Sequence, residues 1–270
     1  MTPIQRLIAA AAFVVLTPLA ARAQAPPAAE SLSPLQIEVG CAIPPEMTMP
    51  GPTAIRVMGS QDTVARGDFA GHDLLVLDAG TTKGVRLGQR YFVRRPTRPD
   101  DNVGAAGILH TSGWLRVIAV DDSRAIAAVD QTCSSIRTGD FLEPFVVPSI
   151  PTGVSVVDRS VEPDFTTMGR VLFGDNMRET AGAGDFMLID RGSNHGLTIG
   201  SRVAIYRDVR PWWKENDGSP APQLPLTSVG EAMVVTTGDA LSVIRVLSAR
   251  DAVTRGDYVA PRKRSGPVSQ

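Results

Sequence analysis

The chain has 270 residues, enough for about two domains of ordinary size. Its formal charge is −1; without the first 23 residues, 25 basic side chains stand against 28 acidic ones, which is not the footprint of a nucleic-acid binder. Apolar content is that of an ordinary globular protein, with glycine and proline plentiful and aromatics scarce.

The N-terminus opens on Arg6 and an apolar core from Leu7 to Leu19, then closes on Ala21-Arg22-Ala23, the small-x-small pattern of signal-peptidase cleavage. Residues 1–23 are therefore expected to be a signal peptide; a retained anchor is the lesser reading, because the apolar core is short for a bilayer. No cysteine follows the cleavage site, against a lipoprotein, and no transmembrane anchor is expected once the signal is removed. Residues 24–34 are Ala/Pro-rich and read as a linker. Cys41 and Cys133 are the only cysteines, and an exported chain with an even count favours one bridge over two buried thiols.

The rest of the chain is written twice. Gly80-Thr-Thr-Lys-Gly84-Val-Arg-Leu-Gly88 returns as Gly192-Ser-Asn-His-Gly196-Leu-Thr-Ile-Gly200, each preceded by an apolar run (Leu74–Leu77; Phe186–Ile189) and followed by a strand-like one (Arg90–Val93; Arg202–Ile205). Strand, glycine turn, strand is the economical reading. Val85 and Leu87, like Leu197 and Ile199, are expected to point one way and plug a barrel end. Upstream, Ile43–Gly51 and Val161–Gly169 share proline, acid, threonine and glycine positions; Arg56 pairs with Arg170, and both connecting loops carry Gly-Asp (Gly67-Asp68; Gly184-Asp185).

The closing third aligns without a gap: Gly113–Val120 with Gly230–Thr237, Ala125–Val129 with Ser242–Val246, and Thr138–Pro144 with Arg255–Pro261. Repeats of this length are whole domains rather than solenoid units. Each offers short β-rich runs separated by Gly, Pro, Asp and Asn, and no mature stretch keeps a 3.6-residue apolar period over three turns. The expected fold is all-β: two tandem homologous small antiparallel barrels or bent sandwiches, residues 35–147 and 153–262, joined by 148–152 and ending in a tail, 263–270.

Catalytic chemistry is thinly supported. His72, His110 and His195 stand in no nucleophile-elbow or zinc-helix context, and His195 sits inside the second glycine box, where a turn role suffices. Asp140 and Asp257 follow glycine at matching positions, where a carboxylate accepts backbone N–H bonds in a turn. No phosphate loop, calcium loop, metal site or cofactor motif is expected, and no catalytic residue is assigned. The repeats differ most in one place, where the second carries an insert with Arg210, Trp212, Trp213 and Lys214. Two adjacent indoles in a polar, proline-flanked loop suit a contact with a protein or a glycan, and the four residues are the expected partner-binding set. The alternative is one ring covering the barrel end and the other exposed incidentally.

The order of an apolar strand ending in glycine, Gly-Val/Leu-x-x-Gly, a strand with arginine, Val-rich strands and Gly-Asp-Phe/Tyr resembles the C-terminal barrel domain of the flagellar assembly protein T, and similar regions of LysM-bearing envelope proteins. The chain departs from that family in having two barrels in tandem and no LysM-like segment. The resemblance implies a non-enzymatic role in the bacterial envelope. The expectation is an exported, non-catalytic interaction protein, periplasmic or secreted, with an envelope protein as partner; the alternative is binding of peptidoglycan, another glycan or a small ligand through the Trp212-Trp213 loop.

Overall fold

The computed structural model describes residues 31–46, 49–97, 108–209 and 226–262. It opens on a helix that apolar periodicity does not announce, α1 (Pro34–Cys41). Gln36 N–H donates to Ser33 Oγ (3.3 Å) and Ser33 N–H donates to Gln36 Oε1 (2.9 Å), a reciprocal cap. Pro34 fills the first turn, where its missing N–H costs nothing. Two turns are too short to display a 3.6-residue period, so the expected linker stops before Pro34 and a helix begins instead.

In the first half, the strands among the described residues are β1 (Val57–Ser60), β2 (Asp68–Phe69), β3 (Leu74–Leu77), β4 (Arg90–Thr97), β5 (Ile108–Val120), β6 (Ala125–Thr132), β7 (Ile136–Arg137) and β8 (Phe141–Pro144). The second half repeats them as β9 (Gly169–Gly174), β10 (Thr180–Ala181), β11 (Phe186–Ile189), β12 (Arg202–Asp208), β13 (Leu226–Thr237), β14 (Ser242–Ala249), β15 (Val253–Thr254) and β16 (Tyr258–Pro261). Six strands of the first half form an antiparallel sheet in the order β1-β3-β6-β5-β4-β8, with β2 and β7 as a separate pair. The second half runs β9-β11-β14-β13-β12-β16 and closes where β16 meets β9, with β10 and β15 paired apart. The fold is all-β, and the two halves share one topology.

The first sheet curls until its edges nearly meet. Arg56 bridges Phe141, Leu142 N–H donates to Ile55 O (2.9 Å) and Val57 N–H donates to Asp140 O (2.9 Å). Period-2 alternation sends one face of each strand inward, as a small barrel filled by its own side chains requires. The two interiors correspond position by position. Val57, Leu75, Leu77, Val85, Val93 and Val117 have Val171, Met187, Ile189, Leu197, Ile205 and Val234 as counterparts. Where size differs, it compensates: Phe69, Tyr91 and Leu115 sit with Ala127 in the first barrel, while Ala181, Val203 and Ala232 sit with Ile244 in the second. Interiors tolerate exchange when total volume is kept.

The glycine boxes are turns rather than strand ends. Thr81–Lys83 and Ser193–His195 each form a 3-10 turn, closed by Gly84 (φ 80°) and Gly196 (φ 78°) in the left-handed region that glycine enters at least cost. Gly80 and Gly192 are required by space: a Cβ would lie 2.3 Å from Asp121 O and 2.5 Å from Asp239 O. The expected barrel plug is half right. Val85 and Leu197 are buried, but Leu87 and Ile199 are 66% and 45% exposed, because the chain turns again at Gly88 and Gly200 and loses the period of two.

The upstream alignment of residues 43–51 with 161–169 falls. Gly169 begins β9 next to Arg170, whereas Gly51 lies outside any strand, so the leading blocks do not share a place. Asp73, not Asp68, is the counterpart of Asp185: each accepts the N–H three residues before it, from Ala70 and Gly182 (both 2.8 Å). Arg56 and Arg170 do correspond, each donating its N–H to Oδ1 of an aspartate, Asp78 (2.7 Å) and Asp190 (2.6 Å).

A third apolar cluster joins the halves. Val39, Ala42 and Ile43 of the helical strap pack with Ile108 of the first barrel and with Phe173, Leu188, Met233 and Val243 on the outer face of the second. The strap is tied to the first barrel by the expected Cys41–Cys133 disulfide, whose Cα atoms are 5.4 Å apart.

Candidate functional site

The strap and the two barrels leave a cleft of about 320 Å³. Arg95, His110, Ser134 and Arg137 form its wall on the first barrel, Ile43 comes from the strap, and Asn176 and Met177 come from a turn of the second barrel. Arg95 and His110 face each other across the β4–β5 pair. Ser134 sits one residue past the disulfide, held where Cys133 and Ser134 N–H both donate to Ser112 O (2.9 and 3.2 Å). The opposite lip is strained: Asn176 (φ 53°) and Met177 (φ 60°) are consecutive non-glycine residues in the left-handed region. Such conformations cost about 1–3 kcal/mol each and persist where the surroundings enforce them.

Asp140 organises the wall. Arg95 donates to it twice, Nε to Oδ1 and Nη2 to Oδ2 (both 2.8 Å), while Oδ2 also accepts Ser112 Oγ–H (3.1 Å) and Arg137 N–H (2.9 Å). Arg95 Nη2 further donates to Ser135 O (2.8 Å), and Arg137 Nε donates to Asp68 Oδ1 (2.7 Å). His110 Nε2 and Ser134 Oγ are hydrogen-bonded at 2.5 Å. Burial, and then the Arg95 guanidinium, push the imidazole below the usual histidine range, with Asp140 opposing them. A neutral imidazole leaves one ring nitrogen to donate and one to accept.

The second barrel carries the same frame. Arg207 Nε and Nη2 donate to the two oxygens of Asp257 (both 2.8 Å), Nη2 donates to Ala252 O (2.6 Å), and Thr254 N–H donates to Asp257 Oδ2 (2.8 Å). Asp140 and Asp257 thus hold the turn role expected of them, with an arginine added that the sequence reading did not single out. Arg95 and Arg207 each lie seven residues past the last glycine of their box, so spacing alone could have paired them. The same gap-free register sets Ser134 against Asp251 and Arg137 against Thr254. Asn176 and Met177 carried no sequence signal, since only the packing of the second barrel against the strap brings their turn to the cleft.

His195 has the turn role expected, its Nδ1 accepting Gly192 N–H (3.2 Å). Arg210, Trp212, Trp213 and Lys214, the expected partner-binding set, lie outside the described residues. Among the described residues, no cluster of three or more His, Cys, Asp or Glu is arranged to hold a metal, and no helix is long and apolar enough to cross a membrane. Comparison with known proteins found no family model and no curated protein that matches this chain.

Proposed function

We propose that this chain is an exported, non-catalytic binding protein of the bacterial envelope, periplasmic or secreted, that receives a partner in the cleft between its barrels. The observation that carries this reading is where the duplication breaks. Cores and glycine turns are copied position by position, whereas His110, Ser134 and Arg137 depart from Thr227, Asp251 and Thr254 and gather at one concave site with the strained Asn176-Met177 turn. Divergence on a repeated scaffold is where new contacts are built. Export is supported by the signal-like N-terminus and by the disulfide, which an oxidising compartment preserves. The non-catalytic reading is supported by Asp140, whose carboxylate is engaged by Arg95, Ser112 and the Arg137 N–H, so that it is not held in reserve to orient His110 as a base for Ser134.

Capture from envelope extracts tests the reading. The wild type should retain a protein at stoichiometry, and Arg137→Glu should lose at least tenfold in retention with folding unchanged, because Arg137 is exposed at the cleft mouth. Equal capture by Arg137→Glu, with loss only in the Trp212→Ala/Trp213→Ala double variant, would move the contact to the insert. Retention on isolated peptidoglycan rather than on protein would favour the glycan alternative.

A further inference from the structure

We infer that the cleft is a carboxylate-binding site, in which a ligand carboxylate takes the place that Asp251 holds in the second barrel. The inference rests on the cleft being the binding site and names the chemistry of its occupant.

The second barrel is an internal control. There Arg207 uses all three nitrogens: Nε and Nη2 bind Asp257, Nη2 also meets Ala252 O and Thr254 Oγ1, and Nη1 donates to Asp251 Oδ2 at 2.9 Å. In the first barrel the first part of that frame is reproduced to within 0.2 Å, from the paired bonds to Asp140 down to the backbone oxygen of Ser135. The residue at the Asp251 position is Ser134, whose hydroxyl is turned to His110. Among the described residues, Arg95 Nη1 has no hydrogen-bond partner, and neither Nη of Arg137 has one. Asp251 is therefore replaced by a neutral residue and Thr254 by a cation, while Asp68, paired to Arg137, stands where the second barrel has Thr180, so the local charge rises by one in a frame built around a guanidinium.

The surroundings differ in the same sense. The Asp251 side chain is 70% exposed on an open rim, where an ion pair contributes little. The Arg95 site instead lies in a cleft that Ile43, Asn176 and Met177 also line, and partial removal of water strengthens a charge-assisted hydrogen bond. Ser134, Ser135 and Asn176 add donors around the guanidinium, while Ile43 and Met177 offer apolar area for a small substituent. The arrangement fits an α-carboxylate or an acidic side chain carried on a short aliphatic group.

The test is a titration of the full mature chain, followed by NMR at His110 and Ser134, with N-acetyl-alanine, its primary amide, and a blocked Ala-Glu-Ala peptide as probes. Saturable shifts are expected with at least one of the two carboxylates and not with the amide, and the stronger of the two identifies the source as a chain terminus or a side chain. Ser134→Asp restores the residue of the second barrel and should weaken that binding at least tenfold, whereas Ser134→Asn, equal in size but neutral, should leave it within about threefold. Should Ser134→Asp not fold, Arg137→Gln provides the second variant and should weaken binding by threefold or more. Equal shifts from acid and amide, no saturable shift from either acid, or unchanged binding in Ser134→Asp overturns the inference. Should partner capture depend on Arg137 while no carboxylate probe binds, this inference falls and the docking reading stands; should probes bind while capture ignores the cleft, the reverse holds.

Discussion

At one lattice position on their outer faces, the two barrels solve the same covering problem in opposite ways. In the first, Trp114 on β5 is 2% exposed, packed edge-on to Phe92 (6.0 Å between ring centres) and against Phe145 (5.5 Å), with Gly40 of the strap and Pro148 over it. In the second, Glu231 on β13 occupies the same register position, with Arg262 donating to both its oxygens (2.6 and 3.1 Å) and Arg159 to one (3.1 Å). Phe145 and Arg262 are themselves counterparts, one residue past each closing strand. The interior cannot diverge this way, because its volume is bounded on all sides. An outer face answers only to the segment laid over it, and here one segment is apolar and the other polar.

The covalent tie should produce the largest effect that separates the halves. The bridge closes 92 residues onto the first barrel, and the position of Cys133 is held in the second by Arg250. Cys41→Ser with Cys133→Ser should cost about 4–5 kcal/mol in the chain-entropy model, read from urea unfolding against the oxidised wild type. A loss below about 1 kcal/mol would mean that the apolar strap contacts hold without the bridge.

Next come the two covers. Trp114→Ala should cost about 3–5 kcal/mol as a large-to-small change. Glu231→Ala should cost about 3–5 kcal/mol for a different reason, since it strands the Arg262 charge beneath the surface. The difference appears in the rescue: Glu231→Leu with Arg262→Met should recover most of the loss, as apolar replacement of a buried ion pair is often neutral or better. Denaturant unfolding of the single and double variants decides it, and a double variant no better than Glu231→Ala would erase the distinction.

The smallest effect concerns the turn that the second barrel presents to the strap. Burial pushes the Asp175 carboxyl up to about 6, against Arg178 and a bond from the Ile43 N–H. Its folded pKa is thus raised above the unfolded one, so its stabilising contribution is complete below about pH 4 and is lost as pH rises through about 6. Asp175→Asn should match the wild type below pH 4 and exceed it by about 1–3 kcal/mol above pH 7. Melting curves across that range would refute the assignment if the gain were equal at both ends.

Much of the fold was legible in the chain itself. The duplicated glycine boxes, the gap-free closing third and the period-2 runs pointed to two antiparallel β-domains of one topology, barrels or bent sandwiches, because local backbone conformation and strand alternation are written residue by residue; that the second closes into a barrel was decided by the fold. The even cysteine count beside a signal-like N-terminus likewise pointed to the Cys41–Cys133 bond. The helix at Pro34–Cys41 was announced only by its cap, Ser33-Pro34-Leu35-Gln36, since eight residues cannot show a period. The cleft was decided by tertiary structure alone. Arg95, Ser134 and Arg137 reach it from different strands and turns of one barrel, and Asn176 and Met177 from the other, through a strap whose packing no single segment encodes. Spacing could equate Arg95 with Arg207, but that Nη1 meets a carboxylate in one barrel and none of the described residues in the other depends on where the folded chain sets its neighbours.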